Sequence, residues 1–264
     1  MDISLVITVK NNAYGLQKCI ENMSGLFSEL IVVDNNSTDN SLSIAKKYTN
    51  KIYFTKVSNN LSELKNIGIE HAKKKWILVL DSDEVCSAEL KKNFSNLEQA
   101  NNIEGFWFSR RNFIRENKYL RYGLFYPDYQ LRLFRNNKHY KFIGSVHNQP
   151  SIPDYKTKKV NLDILHYQNP SKIGSLRNFK YLHNYIKNEA LELKTLRYSP
   201  FRLIGTGLWK FFDMFFIALT RGKGILDGWD GVRAHFMFAS SVFLAYIFAM
   251  FPESTIRKLL KTYE

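Results

Sequence analysis

The first eighty residues alternate between short apolar runs and segments with helical spacing. "ISLVITV" (3–9), "ELIVVD" (29–34), "KIYFTKV" (51–57) and "WILVL" (76–80) have the length and content of buried strands. Between them, 15–27 sets Leu16, Ile20, Met23 and Leu26 three or four positions apart. Residues 39–49 and 61–73 read as two more helices, the first with Ser37 or Asp39 in reach as a cap. Apolar strands separated by helices predict a parallel sheet covered on both faces, an α/β fold.

From about residue 103 the texture becomes aromatic and alternating, as in "GFWFSR" (105–110), "YQLRLFR" (129–135) and "VNLDILHY" (160–167). These predict a mixed or antiparallel extension of the sheet, and 171–197 predicts a long polar helix. After Ser199-Pro200 the chain turns strongly aromatic: "LWKFFDMFFIAL" (208–219), then "FMFASSVFLAYIFAMF" (236–251). The second run would be about 24 Å long as a helix, short of the ~30 Å hydrocarbon core of a bilayer. Its Ser241, Ala245 and Ala249 form a small-residue stripe suited to packing against another helix. Pattern alone leaves three readings: a helical hairpin lying at or dipping into a membrane, which is favoured, a buried core or oligomer helix, and a span. The expected division is 1–200 for the α/β domain and 201–264 for a helical appendage.

Polar chemistry gathers where the strands end. Thr8, Lys10, Asn11 and Asn12 follow the first, Asp34 to Ser37 end the second, and Asp81-Ser82-Asp83-Glu84 ends the fourth. Caps and turns account for any one of these, since Asn, Asp and Ser favour both. Three together fit the rule that ligands of parallel sheets collect at the strands' carboxyl ends. Three acids within four positions repel one another and need a positive partner if buried. A hard divalent cation shared with substrate phosphates suits Asp81 and Asp83.

Charge narrows the partners. The formal net charge is +14, with Arg110, Arg111, Arg115, Lys118, Arg121, Arg132, Arg135, Lys138 and Lys141 crowded into 109–141. An anionic partner follows: a phosphorylated substrate, a membrane surface or nucleic acid. Nucleic acid is set aside, because the chain has no zinc-finger pattern, RNP-like aromatic motif or basic heptad helix. A glycosidase is disfavoured too, since its two carboxylates must flank the scissile bond from opposite sides. Cys19 and Cys86 form no disulfide or zinc pattern, and the chain opens directly into a strand. A reducing cytoplasm is the expected compartment.

The ordered series "ISLVITVKNN", "ELIVVDNNSTDNS", "ELKNIGIEHAKKKWILVLDSDE" and "YPDYQLRLFR" resembles family-2 glycosyltransferases of the GT-A fold. More narrowly, it is similar to a bacterial branch that resembles lipopolysaccharide-core β-1,4-glucosyltransferases. The resemblance runs from residue 3 to about 185. It implies a GT-A-type, Rossmann-like mixed sheet flanked by helices, with the aromatic helical segment appended. It also implies an inverting transfer of a hexose, glucose favoured, from a UDP-sugar to a cell-envelope glycan or glycolipid such as lipopolysaccharide or lipooligosaccharide core. The cofactor would be Mn²⁺ or Mg²⁺.

Residue by residue, the resemblance assigns Asp34 to the uracil, and Thr8 and Lys10 to the first nucleotide loop. Lys65 and Asn66 would approach the nucleotide. Asp81, Ser82 and Asp83 would form the metal and diphosphate motif, with Asp83 the direct ligand. Asp128 would be the catalytic base, and Arg132 and Arg135 would face phosphate. His147 and Tyr126 are candidates for the acceptor side. The branch's "VHE" is Val146-His147-Asn148 here, so its glutamate is missing and a different acceptor, or a non-catalytic nucleotide-binding relative, stays open. Peripheral attachment to the anionic inner face of the cytoplasmic membrane is the expected location. Acceptors of capsule, exopolysaccharide or protein-linked type remain alternatives.

Overall fold

A computed structural model of the chain describes residues 1–55, 60–115, 117–144, 149–167 and 182–259. It divides into two compact units, Met1–Phe113 with Asp128–Asn169, and Ile114–Pro127 with Pro170–Glu264.

The first unit follows the predicted alternation: β1 (Ile3–Val9), α1 (Ala13–Asn22), β2 (Glu29–Asp34), α2 (Ser41–Tyr48), β3 (Ile52–Phe54), α3 (Leu61–Glu70) and β4 (Trp76–Asp81). Then come β5 (Glu84–Cys86), α4 (Ala88–Glu98), β6 (Gly105–Arg115), β7 (Lys118–Tyr119), β8 (Asp128–Arg135), β9 (Phe142–Ile143), β10 (Gln149–Pro150) and β11 (Thr157–Tyr167). The main sheet runs β3-β2-β1-β4-β8-β6-β11-β5, with β7 paired to β6. β3, β2, β1 and β4 are mutually parallel, β8 is antiparallel to β4 and β6, and β11 is parallel to β6. The sheet is therefore mixed, as the change in texture after 103 predicts.

Both faces of its centre are covered. In β1, Ile3, Leu5, Ile7 and Val9 enter one core cluster while Val6 enters the other. In β4, Trp76, Leu78 and Leu80 enter the first, and Ile77 and Val79 the second. Alternate side chains of a strand point to opposite faces, so a wholly apolar run fits only where helices lie on both. Helix starts are fixed by side chains: Asn12 accepts from the Gly15 amide, Asn60 from Ser62 and Ser87 from Leu90. Of the two residues expected to cap α2, Asp39 accepts from the Ser41 amide at 2.9 Å.

The second unit is helical: α5 (His183–Thr195), α6 (Pro200–Phe212), α7 (Gly228–Phe248) and α8 (Glu253–Leu259). A π-helical turn, Asp213–Ile217, extends α6. Ile186, Ala190 and Leu193 of α5 and Leu203 of α6 pack on Val242, Ala245, Tyr246 and Ala249. The boundary expected at 200 therefore lies inside this unit, because α5 presents its apolar stripe to α7. The small-residue stripe Ser241, Ala245 and Ala249 is buried in the same packing. By length and composition Gly224–Phe248 would reach across a membrane, yet half of its apolar 18-residue window is buried within the protein. Of the three readings, the core-helix one describes this inner face. The first part of the expected 171–197 helix lies outside the described residues.

Candidate active site at the strand ends

Register brings the strand ends together. Thr8 of β1 lies opposite Asp81 of β4, and Val9 opposite Asp34 of β2. On the other side of the sheet, Asp128 pairs with Arg110, Asn112 with His166, and His166 with Glu84. Arg110 and Asn112 are two apart on one strand and so share a face. Arg111 between them points away and pairs with Asp163.

These side chains form one continuous network. Arg132 donates to Asp81 at 2.9 Å and to Glu84 at 2.7 Å, and Lys65 lies 3.3 Å from Asp81. Thr8 donates its hydroxyl to Asp81 at 3.0 Å. Arg110 bridges Glu84 at 3.2 Å and Asp128 at 2.7 Å. Asp128 also accepts from Asn112 at 3.1 Å and from Gln130 at 2.7 Å. The Asn112 carbonyl oxygen meets His166 Nδ1 at 2.7 Å, and His166 Nε2 stands 3.4 Å from Asp83.

The crowding of Asp81, Asp83 and Glu84 is thus relieved largely from within. Glu84 is fully buried, and Arg132 and Lys65 are each only 2% exposed. Burial alone would push the Asp81 carboxyl up, but the Lys65 and Arg132 charges hold it far below the usual carboxylate range. Burial, with the neighbouring Arg132 charge, lowers Lys65 from its ordinary value against the pull of Asp81 and Glu84. Burial also works against ionisation of Asp128, and Arg110 with the Asn112 and Gln130 hydrogen bonds overcomes it, leaving that carboxyl lowered.

Asp81, expected beside Asp83 as a metal ligand, has both oxygens engaged by Thr8, Lys65 and Arg132. Asp83 faces only partly away from solvent and points at an imidazole nitrogen. The Asn112 amide fixes that imidazole. A carboxylate only accepts, so the Asn112 NH₂ must face Asp128 and its oxygen must face His166. Nδ1 then carries a proton and Nε2 faces the Asp83 carboxylate at 3.4 Å, a contact that either an Nε2 proton or a cation would satisfy. For Mg²⁺-like octahedral ligation at about 2.1 Å, neighbouring ligand atoms sit about 3 Å apart, so the pair fits. Among the described residues no cluster of three or more His, Cys, Asp or Glu side chains gathers for a metal, so most of a cation's shell would come from phosphate and water.

The remaining expected residues divide. Asp34 is buried and accepts from the Ser37 amide and hydroxyl, tightening the loop after β2. Lys10 is exposed at the end of β1. Ser82 accepts from Asn12 at 3.1 Å. Asn66 spends its amide on both backbone groups of Phe142, a clamp between α3 and β9 rather than a group aimed at a ligand. Arg135, expected to face phosphate, instead pairs with Trp76 at the opposite end of β4, stacks on that indole at 4.1 Å and donates to Ala100. It is a packing residue. Tyr126 belongs to the helical unit, edge-on to Tyr119 at 5.7 Å. His147 lies outside the described residues. Glu84, Arg110 and Asn112 carry the network together with His166, and none of those three is assigned a site role by the motifs. His166 could be read from sequence either as a satisfied polar residue at a strand end or as an active-site group.

A family model described as "Glycosyl transferase family 2" matches residues 4–160. The chain belongs to glycosyl transferase family 2. An SPbeta prophage-derived glycosyltransferase, SunS, of Bacillus subtilis is 30% identical over 64% of this chain, and the match spans 40% of that relative's length. An uncharacterized glycosyltransferase of Rickettsia felis is 26% identical over 92% of this chain and 87% of its own. Among solved structures, the Pyrobaculum calidifontis mannosyltransferase PcManGT, in complex with GDP-Man and Mn²⁺, aligns over 95% of this chain and 87% of its own, at TM-score 0.57 and 12% identity. S. aureus TarS 1-349 with UDP-GlcNAc aligns over 98% and 92%, at TM-score 0.50 and 14% identity. These likenesses establish for this family-2 chain the mixed α/β architecture of nucleotide-sugar transferases.

Proposed function

We propose that this family-2 glycosyltransferase is an inverting, divalent-cation-dependent hexosyltransferase. Its donor is a UDP-sugar, UDP-glucose favoured, and its acceptor a cell-envelope glycan such as lipopolysaccharide or lipooligosaccharide core. The observation that carries this reading is the joined set of Asp128, held by Arg110, Asn112 and Gln130, and an Asp83–His166 pair spaced for a cation, both in one network. The acceptor oxygen attacks the anomeric carbon as the bond to the diphosphate oxygen breaks on the opposite face. Asp128 takes the hydroxyl proton, and UDP leaves with the bonding electron pair. Mn²⁺ or Mg²⁺ on Asp83 and His166 would supply positive charge toward that leaving diphosphate. Thr8, Lys10 and Asp34 line the strand ends where the nucleotide binds, and Arg132 and Lys65 set the field beneath it.

Calorimetric titration of UDP, with Mn²⁺ and again with EDTA, tests this on the wild type and Asp83→Ala. Metal-dependent binding that the substitution weakens is expected. Metal-independent UDP binding, unchanged by Asp83→Ala, would remove the cation from the reading.

The helical unit suits the membrane on which such acceptors stand. Phe201, Ile204, Leu208, Trp209, Phe212 and Phe216 fall on the outward arc of α6 and its π turn, opposite buried Leu203 and Gly207. Phe201 is 88% exposed and Trp229, at the start of α7, 85%. Exposed Arg202, Arg221, Lys223 and Arg233 lie in the same stretch, matching anionic headgroups around an apolar insert. Vesicles containing phosphatidylglycerol should sediment the full chain and those of phosphatidylcholine much less. The triple variant Phe201→Ser, Trp209→Ser, Trp229→Ser should stay in the supernatant. Undiminished co-sedimentation of that variant would exclude this face as the anchor.

A further inference from the structure

We infer that Asn112 is a positioning residue that sets the cation site and the base together, through the two ends of one side-chain amide. This rests on the reading of Asp128 as base and of Asp83 with His166 as the cation pair. Asn112 sits on β6 between the strands that carry both, β8 with Asp128 and β11 with His166. Its Nδ2 donates to Asp128 Oδ2 at 3.1 Å and its Oδ1 accepts from His166 Nδ1 at 2.7 Å. No rotation of the amide satisfies both neighbours the other way round, because Asp128 has no proton to give. The amide therefore selects the Nδ1–H form of the neutral ring and leaves Nε2 open toward Asp83. Groups that orient a metal-binding histidine through its second nitrogen are typically worth 10–100-fold in metal affinity.

Such a bridge has two separable halves. Asn112→Ala removes both. Asn112→Asp keeps an acceptor for His166 Nδ1–H but places a second carboxylate against Asp128, so the metal half is restored and the base half is damaged. In the full chain with UDP present, Mn²⁺ affinity followed by electron paramagnetic resonance should fall about 10–100-fold in Asn112→Ala and recover in Asn112→Asp. Turnover at saturating Mn²⁺ should stay low in both. A side chain with only a packing role would not split metal affinity from turnover in this way.

Imidazole ¹⁵N shifts of the metal-free protein, recorded at alkaline pH, read the tautomer directly. The wild type should hold His166 as Nδ1–H, and Asn112→Ala should move it toward Nε2–H. Unchanged Mn²⁺ affinity and an unchanged tautomer in Asn112→Ala would overturn the inference. A wild type that takes up no Mn²⁺ with UDP would instead overturn the cation reading, while the nitrogen shifts would still decide what Asn112 does.

Discussion

Asp128→Asn is expected to cut sugar transfer by about 10²–10⁴-fold while leaving UDP binding nearly unchanged. Asparagine matches aspartate in shape and can still accept one hydrogen bond from Arg110, Asn112 or Gln130, so the strand end should keep its form. It cannot take a proton. Arg110 keeps a charged partner in Glu84, which limits the cost to folding. The surroundings of Asp128 also predict the pH profile. Its carboxyl is held below the usual value, so it is ionised across the neutral range. Loss of activity through its protonation should begin only below about pH 4, the ordinary carboxylate range. Initial rates with a UDP-sugar donor, beside UDP titration of the same variant, separate chemistry from binding. Near-normal turnover in Asp128→Asn would move the base elsewhere.

How far the sequence reached is seen best in which partners each residue found. Period and length were enough for β1, β2 and β4, because strands buried on both faces leave an unbroken apolar run; the edge strand β3, expected over 51–57, is Ile52–Phe54 and partly exposed. The strand-end cluster was readable for the same reason: parallel neighbours must finish together, so register sets Thr8 beside Asp81 and Asp34 beside Val9. What the linear text hides is antiparallel pairing. Arg132 and Arg135 sit three apart in one motif and look alike there. On a strand they point to opposite faces, and the register with β4 sends Arg135 to the Trp76 end. Asn66 follows Lys65 directly, yet helical geometry turns one to Asp81 and the other to the Phe142 backbone. Glu84 looked like the last member of an acidic loop, and only the arrival of Arg110 and Arg132 from two distant strands makes it a buried hub. Asn112 and His166 lie 54 residues apart and become neighbours through a parallel pair that no local pattern announces.

Arg132→Leu should be the most destabilising single change at this site, by about 3–5 kcal/mol at neutral pH. The guanidinium is 2% exposed and neutralises two acids, one of them Glu84 at 0%. Leucine fills part of the volume but leaves Glu84 with Arg110 at 3.2 Å and Asp81 with Lys65 at 3.3 Å. A buried carboxylate that loses its nearest cation carries its desolvation cost uncompensated. The thermal midpoint should drop by roughly 10 °C for a chain of this size. Acid should narrow the difference. In the wild type, Asp81 is held well below its unfolded value, so its contribution is full above about pH 4 and fades as pH falls toward the lowered folded value. In Arg132→Leu the folded carboxyls protonate at higher pH, which removes the unpaired charge and recovers stability that the wild type never lost. Denaturant unfolding of both proteins between pH 4 and 8 measures the gap directly. A gap that stays constant across that range would mean that packing, not charge, is what Arg132 contributes. A gap under 1 kcal/mol throughout would mean that water reaches Glu84 and Asp81 freely enough to replace the guanidinium.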